Sequence, residues 1–375
     1  MINYEGFEPG FYENRAAIYS KLRDDEPVSF DEERGTFTLS RYEDVAAALS
    51  DWETYSCVGP WTNANSQLGA LDPPEHTALL GKAKEALSDE RMLSMEDDLR
   101  ADARAVLEVL VAQGECELIV DYIFHCVGRL EGRLFGLTDD QVSECFECVD
   151  ILGHAPEQAP AVQERLAAVF LPIMAARKQS PGDDLISALV TEGSDGSEAL
   201  SDPLIFGFLN TLNAPLGGLA PAGVANSVAL IGAHPDQQAD LAANPSLIPQ
   251  AYEEVLRLDG PVFAPVQIRV LTRDVTLHGI TMPAGGLVHL LFGAANRDER
   301  AIENPEQFDV HRAPFQQLSF GHGIHECLGR LLARLIARVL LEELLAAAPE
   351  YSVTEAGPPF EAAAIRNEWL KVSFA

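Results

Sequence analysis

Along most of the chain, apolar residues recur every three or four positions, the period of an α-helix with one buried face. This pattern predicts helices over 16–23, 42–49, 74–87, 96–112, 119–136, 140–152, 161–177, 183–192, 203–233, 235–243, 247–258 and 327–347. Alternating, β-branched segments are fewer. Residues 28–30 and 36–39 flank an acidic turn containing Gly35 and read as a hairpin. A second group lies at 262–270, 275–277 and 287–291, with Pro283-Ala-Gly285 as a turn between strands. The expected fold class is mainly α with a small segregated β-sheet region. No repeat, low-complexity tract or linker interrupts the pattern, so a single domain spanning 1–375 is expected.

Charge narrows the class of partner. The chain has 26 Lys and Arg against 58 Asp and Glu, a net charge of −32. Such a surface repels phosphates, which argues against nucleic acid and against anionic membranes as partners. No apolar run reaches the roughly 18–20 residues a bilayer requires. The stretch around 328–345 is interrupted by Arg330, Arg334, Arg338, Glu342 and Glu343. The N-terminus has neither a basic segment nor an apolar one, so no signal peptide is expected. Six cysteines are too few for a disulfide framework, and a cytoplasmic location is expected.

The segment richest in chemistry is Leu318-Ser-Phe-Gly-His-Gly-Ile-His-Glu-Cys-Leu-Gly329, leading into an amphipathic helix. A Cys just before a helix feels the positive end of its dipole, and backbone N–H groups there can donate to its sulfur. Gly321, Gly323 and Gly329 permit tight turns and close approach to a flat ligand. Phe320 can shield the sulfur and His325 can reach an anionic group. These are the needs of a thiolate axial ligand to haem iron. The pattern Phe320-x-x-Gly323-x-His325-x-Cys327-x-Gly329 resembles the haem-binding signature of the cytochrome P450 family.

Other segments stand in that family's order. Glu254 and Arg257 in Glu253-Glu254-Val-Leu-Arg257 are neighbours on one helical face. The resemblance implies that they join Arg312 in a buried ion triad behind the haem. Asp72-Pro-Pro-Glu-His76-Thr77 is similar to the start of the helix whose His contacts a haem propionate. Arg269 matches a second propionate-binding position. The resemblance thus implies a cytochrome P450 fold, haem b on Cys327, and His76, Arg269, Phe320, Gly321, His325 and Gly329 around it. It places the substrate pocket in 61–68, 208–216 and 262–267, including Trp61, Leu68, Leu212, Leu216, Val262 and Val266.

Two positions depart from the family. Leu80 stands where a second propionate-binding Arg is usual. Counting back from His234-Pro235, the usual acid–Thr pair of the central helix falls on Gly218 and Leu219, which cannot relay a proton. Pro215 and Pro221 remove backbone donors around them, so a kink or unwound stretch is expected. Arg330, Arg334 and Arg338 form a stripe that either receives an acidic electron-transfer partner or pairs with the chain's own carboxylates. Cys145-x-x-Cys148 lacks a second ligand pair and is expected to be packing. No dinucleotide or phosphate-loop fingerprint occurs, so electrons must come from separate proteins. The resemblance implies a monooxygenase acting on a small, largely apolar, possibly aromatic molecule, by hydroxylation or oxidative O-demethylation. Electrons would come from a ferredoxin or flavodoxin with an NAD(P)H reductase. A peroxide-driven oxygenase, a non-redox haem isomerase or dehydratase, and a non-catalytic haem protein stay open because the acid–Thr pair is absent.

Overall fold

The computed structural model describes residues 11–60, 68–191, 200–261, 268–360 and 366–374. The chain opens with α1 (Phe11–Asp25), the hairpin β1 (Val28–Asp31) and β2 (Thr36–Leu39), α2 (Tyr42–Ser50) and the short β3 (Tyr55–Ser56). A helical stretch follows: α3 (Glu75–Ala86), α4 (Asp89–Leu93), α5 (Glu96–Gln113), β4 (Glu115–Glu117), a π-helical turn at Ile119–Phe124, α6 (His125–Phe135), α7 (Asp139–His154), α8 (Ala159–Gln179) and α9 (Leu185–Val190). The central helix comes next. It comprises α10 (Asp202–Ala214), a π-helical turn at Pro215–Leu219, and α11 (Ala220–Gly232). Then follow α12 (Pro235–Ala243), α13 (Ile248–Asp259), β5 (Ile268–Leu271), β6 (Val275–Leu277), β7 (Ile280–Met282), β8 (Leu287–Leu290), α14 (Phe292–Ala295) and α15 (Arg330–Ala347). Strands β9 (Ser352–Ala356), β10 (Pro359–Phe360), β11 (Arg366–Asn367) and β12 (Leu370–Ser373) end the chain.

Local chemistry sets several boundaries. Thr138 caps α7 by accepting from Gln141 N–H while the Gln141 side chain accepts from Thr138 N–H, a reciprocal capping box. Helices α5 and α6 both end on glycines with positive φ, Gly114 and Gly136, a conformation that costs a residue with a Cβ. The main core is helical and draws on α5, α6, α7, the central helix, α13 and α15. A second core lies under the largest sheet, whose order is β1-β2-β8-β5-β3. In that sheet β2 and β8 run parallel, and β5 lies antiparallel to β8 with Arg269 opposite Val288. The helical and strand classes thus segregate as the pattern of apolar residues implied.

The structure corrects several details. Within the expected strand at 262–270, β5 begins at Ile268, and 262–267 lie outside the described residues. Strands β3, β4, β9 and β12 are two to five residues long, too short for alternation to reveal. The helix expected at 327–347 begins at Arg330. The most apolar long helix is the central one: Asp202–Gly232 is long and apolar enough to cross a membrane, yet 61% of its most apolar window is buried inside the protein. Core packing accounts for that hydropathy. The expected kink between Pro215 and Pro221 is a π-turn, in which Ala220 N–H donates to Pro215 O five residues back.

Candidate active site

The loop from Leu318 to Gly329 is held by backbone and side-chain hydrogen bonds from three directions. Cys327 N–H donates to Phe320 O at 2.8 Å and Gly321 N–H to Leu318 O at 2.8 Å, which folds the loop back on itself. Leu318 N–H donates to Asn296 Oδ1 at 2.7 Å, and Ser319 Oγ–H donates to Leu256 O at 2.7 Å. Gly321 and Gly323 have φ of +72° and +74°. A Cβ on Gly323 would lie 2.5 Å from Leu49 O, so only glycine lets the loop meet α2. A Cβ on Gly329 would meet nothing within 4 Å, which leaves open approach beside the sulfur. Asn296 and Ser319 were not singled out in the sequence, because isolated Asn and Ser carry no periodic signal.

Cys327 is the one exposed cysteine; Cys57, Cys116, Cys126, Cys145 and Cys148 are buried. Protein mass around the sulfur is nonetheless dense, and burial pushes its thiol upward. A hydrogen bond from Gly329 N–H and the charges of Arg330 and Arg334 oppose that shift without reversing it. Burial and these three groups thus act in opposite directions on the thiolate. Loss of the proton must accompany metal binding, as it does for coordinating thiols generally. Phe320 is held beside the sulfur loop by Arg334, whose guanidinium lies 4.7 Å from the ring centroid.

Next to this loop, α3, β5 and the turn at Gly323–His325 converge. His76 and Arg269 are buried, and the His76 and His325 rings lie 4.3 Å apart in edge geometry. Asp72 Oδ1 is 4.0 Å from His325 Nε2 and accepts from Cys57 N–H at 3.1 Å, while Asp72 Oδ2 accepts from Ser56 Oγ–H. His325 Nε2 is buried with no hydrogen-bond partner. Burial, reinforced by His76 and Arg269, pushes the His325 imidazole down to about 4. Burial also lowers His76 and Arg269, with Asp72 opposing in both cases. Concentrating donors and a guanidinium away from water is costly unless an anion is taken up. A dicarboxylate macrocycle fits these groups, the orphaned imidazole nitrogen most directly. Leu80, half-buried, leaves α3 without the additional cation that the family resemblance called for. Cys57, Asp72 and His325 also place three potential ligand atoms within 4.8 Å of one another, a group that belongs to this same cradle.

Behind the loop, Glu254, Arg257 and Arg312 meet. Arg257 donates to both oxygens of Glu254, from Nε at 2.7 Å and from a terminal nitrogen at 2.8 Å. Arg312 Nε donates to Glu254 Oε1 at 2.9 Å. Backbone carbonyls of Asn296, Pro305 and Gln307 take further donors of Arg257. The side chains of Arg257 and Glu254 are 1% and 3% exposed, so the pair is fully desolvated and fully hydrogen-bonded.

On the central helix, Thr211, Ala214, Pro215, Gly218 and Leu219 form the more accessible stripe. Leu216 and Gly217 face inward, and a Cβ on Gly217 would lie 3.0 Å from Val149 and 3.2 Å from Phe146 of α7. Leu216 is thus a core residue rather than an open pocket wall. Leu212 packs partly against the same core, and Leu68 lies in a turn at Leu68–Ala70. Trp61, Val262 and Val266 lie outside the described residues. Thr211 Oγ donates to Gly207 O at 2.8 Å, so its hydroxyl is committed to its own helix.

The basic stripe after Cys327 is largely neutralised. Arg334 pairs with Glu253 at 2.6 Å and Arg338 with Glu96 at 2.6 Å, while Arg330 sits 3.4 Å from Glu326. Cys145 and Cys148 are buried, and among the described residues no metal-ligand group gathers around them.

A thiol loop at a helix N-terminus, an anion cradle and a desolvated ion triad, on a mainly helical fold, define a haem-thiolate class of protein. Comparison with known proteins gives that class its family. The Cytochrome P450 family profile matches residues 227–347. The chain is similar to Cytochrome P450 130 of Mycobacterium tuberculosis, 31% identical over 90% of this chain and 89% of that protein. It is also 30% identical to Vitamin D(3) 25-hydroxylase of Pseudonocardia autotrophica, over 92% of this chain and 89% of the relative. Among solved structures, P450BioI in complex with acyl carrier protein carrying hexadec-9Z-enoic acid superposes with a TM-score of 0.88 at 26% identity. That match covers 97% of this chain and 99% of P450BioI. The chain belongs to the cytochrome P450 family, whose members are monooxygenases that bind haem b through a cysteine thiolate.

Proposed function

We propose that this protein is a haem-thiolate monooxygenase with Cys327 as axial ligand. The observation that carries the reading is the pairing of the Cys327 loop with the cradle of His76, Arg269 and His325, whose Nε2 is buried and unpartnered. When bound, haem supplies oxygen activation and insertion of one oxygen atom into a substrate carbon–hydrogen bond. The chain's own residues do the rest. Gly329 N–H, Arg330 and Arg334 moderate the charge on the sulfur. His76, Arg269 and His325 hold the two carboxylates, and Phe320 screens the sulfur from water. The Glu254 triad fixes α13 against the segment that leads into the loop.

The central-helix stripe of Ala214, Pro215, Gly218 and Leu219 offers no charge or side-chain hydrogen bond, so the substrate is a small, largely apolar molecule. The relatives' names include a vitamin D hydroxylase and a protein crystallised with an acyl carrier, so they do not point to one ligand. Oxidative O-demethylation of an aromatic ether and hydroxylation both suit such a wall. Electrons come from a ferredoxin or flavodoxin and its NAD(P)H reductase, in the cytoplasm. Of five lysines, Lys82 and Lys84 stand together on α3 and, among the described residues, have no carboxylate partner. Unlike the neutralised Arg334 and Arg338, they can receive an acidic electron carrier.

A second reading is favoured by the central helix itself. With Gly218 and Leu219 at the usual acid–Thr positions and Thr211 turned back on its helix, peroxide is the alternative oxidant, since it brings its own protons and electrons. Turnover separates the two. A panel of phenolic ethers, terpenoids and fatty acids is screened by haem spin-state shift, and each hit is then incubated with reductase and ferredoxin or with peroxide alone. Product only with reductase supports the first reading; efficient product with peroxide alone supports the second. Product with neither, across all spin-shifting ligands, contradicts both.

A further inference from the structure

Three side chains of metal-ligand type, brought from separate parts of the chain, meet at the edge of the haem cradle. Cys57 directly follows β3, Asp72 precedes α3, and His325 ends the short turn at Gly323–His325. The Cys57 sulfur, an Asp72 carboxylate oxygen and a His325 ring nitrogen all lie within 4.8 Å of one another. Cys57 is buried and in no disulfide. The His325 side chain is only 9% exposed, and its Nε2, 4.0 Å from Asp72 Oδ1, has no hydrogen-bond partner. A buried nitrogen left unsatisfied in this way calls for a ligand.

The group is held in place by its neighbours. Cys57 N–H donates to Asp72 Oδ1 at 3.1 Å and Ser56 Oγ–H to Asp72 Oδ2, which fixes the plane of the carboxylate. Outer hydrogen bonds of this kind orient the ligands of metal sites. The turn carrying His325 is pinned where Gly323 meets Leu49 O of α2. Asp72 also adds an anion to a cradle that collects carboxylates, and Leu80 supplies no cation against it. Arg269 faces both Cys57 and Asp72, and its charge favours the Cys57 thiolate. A divalent cation would satisfy Nε2 and neutralise Asp72 at once.

Thiolate, imidazole and carboxylate together suit zinc, whereas magnesium and calcium take oxygen ligands. Ligand atoms around a tetrahedral zinc stand roughly 3–4 Å apart, so a contraction of about 1 Å gathers this group onto one ion. We propose that Cys57, Asp72 and His325 hold a zinc ion before haem is loaded, with water as fourth ligand, and that zinc and haem exclude one another because both need His325 Nε2. On binding, the Cys57 S–H bond breaks, its proton passes to solvent water and a zinc–sulfur bond forms, with no change of oxidation state. Thiolate and carboxylate together balance the charge of the ion. The exclusion of haem rests on the haem-thiolate reading; the zinc site itself does not.

The test uses the full chain and Zn2+ alone. Protein stripped of haem should retain one zinc per chain after desalting, and the holoenzyme none at this site. Cys57→Ser should lose that zinc and Cys327→Ser should keep it. With Co2+ as a spectroscopic substitute, the near-ultraviolet thiolate-to-cobalt band should likewise vanish in Cys57→Ser and persist in Cys327→Ser. Ser56→Ala, which only frees the carboxylate, should weaken zinc binding about 10–100-fold. Zinc should slow haem uptake by the wild type until a chelator is added, and leave uptake by Cys57→Ser unchanged. A second readout starts from the holoenzyme: with one equivalent of apomyoglobin as haem acceptor, zinc should increase the haem transferred from the wild type but not from Cys57→Ser. Zinc retained in Cys57→Ser, or haem uptake and transfer indifferent to zinc in the wild type, overturns the proposal. Failure of the underlying reading would show separately, as a chain that binds zinc through Cys57 yet gives no thiolate-ligated haem spectrum.

Discussion

At the scale of single residues, the most constrained atoms are backbone ones. Gly323 combines a φ of +74° with a would-be Cβ 2.5 Å from Leu49 O, so neither rotation nor side-chain relaxation can accommodate a methyl group. Gly323→Ala should cost at least roughly 1–2 kcal/mol for the left-handed conformation, with the clash added. It should be seen as a lower melting temperature together with reduced haem retention, whereas Gly329→Ala, in open space, should leave the melting temperature unchanged. His289 makes a second residue-scale prediction. Burial, with a smaller contribution from Arg34, pushes this β8 imidazole down to about 4. Folded His289 is then neutral at pH values where the unfolded chain's histidine, near 6.5, takes up a proton. The unfolded state binds more protons below that value, so stability falls as pH drops from about 6.5 toward 4, by up to roughly 3 kcal/mol from this group. Urea titrations at pH 7 and pH 4.5 should show a smaller loss in His289→Gln than in the wild type.

At the scale of elements, the Glu254 triad links α13 to the chain preceding the Cys327 loop. Glu254→Gln removes the one anion facing Arg257 and Arg312 and should destabilise the protein by about 3–5 kcal/mol, the usual result of leaving buried charge unpaired. The accompanying sign is loss of haem during thermal unfolding at lower temperature than in the wild type. How far elements were legible in the sequence follows from the same physics. Long amphipathic helices such as α5, α8 and α15 show their period directly, and the loop around Cys327 is dense enough in Gly, His and Cys to be read as a unit. Strands β3 and β4, two and three residues long, hold too few residues to show a period of two. The π-turn was legible only as disruption, because Pro215 and Pro221 announce missing donors but not which longer ring closes instead. The meeting of Cys57 and Asp72 with His325 was invisible for a different reason. Both stand far from His325 in the sequence, and only tertiary packing brings the three together.

At the scale of the whole molecule, the charge of −32 is distributed so that most cations are already engaged. Arg100, for example, meets Glu96, Glu342 and Glu343 at once. Such a surface repels an acidic protein except where cations remain unpaired, and among the described residues Lys82 and Lys84 on α3 have no carboxylate partner. Reversing both to Glu should slow reduction by a ferredoxin and weaken its dependence on salt, while reduction by dithionite stays unchanged. An equal rate in the variant would place docking elsewhere. The claim on which the rest depends is the bond between Cys327 and haem iron. Its most direct test is the absorption spectrum of the dithionite-reduced protein under carbon monoxide, for the wild type and for Cys327→His. The account predicts the strongly red-shifted Soret band of a thiolate-ligated haem in the wild type and its replacement by the shorter-wavelength band of an imidazole-ligated haem in Cys327→His. A red-shifted band that persists in Cys327→His, or a wild type that takes up haem without showing it, would contradict the account.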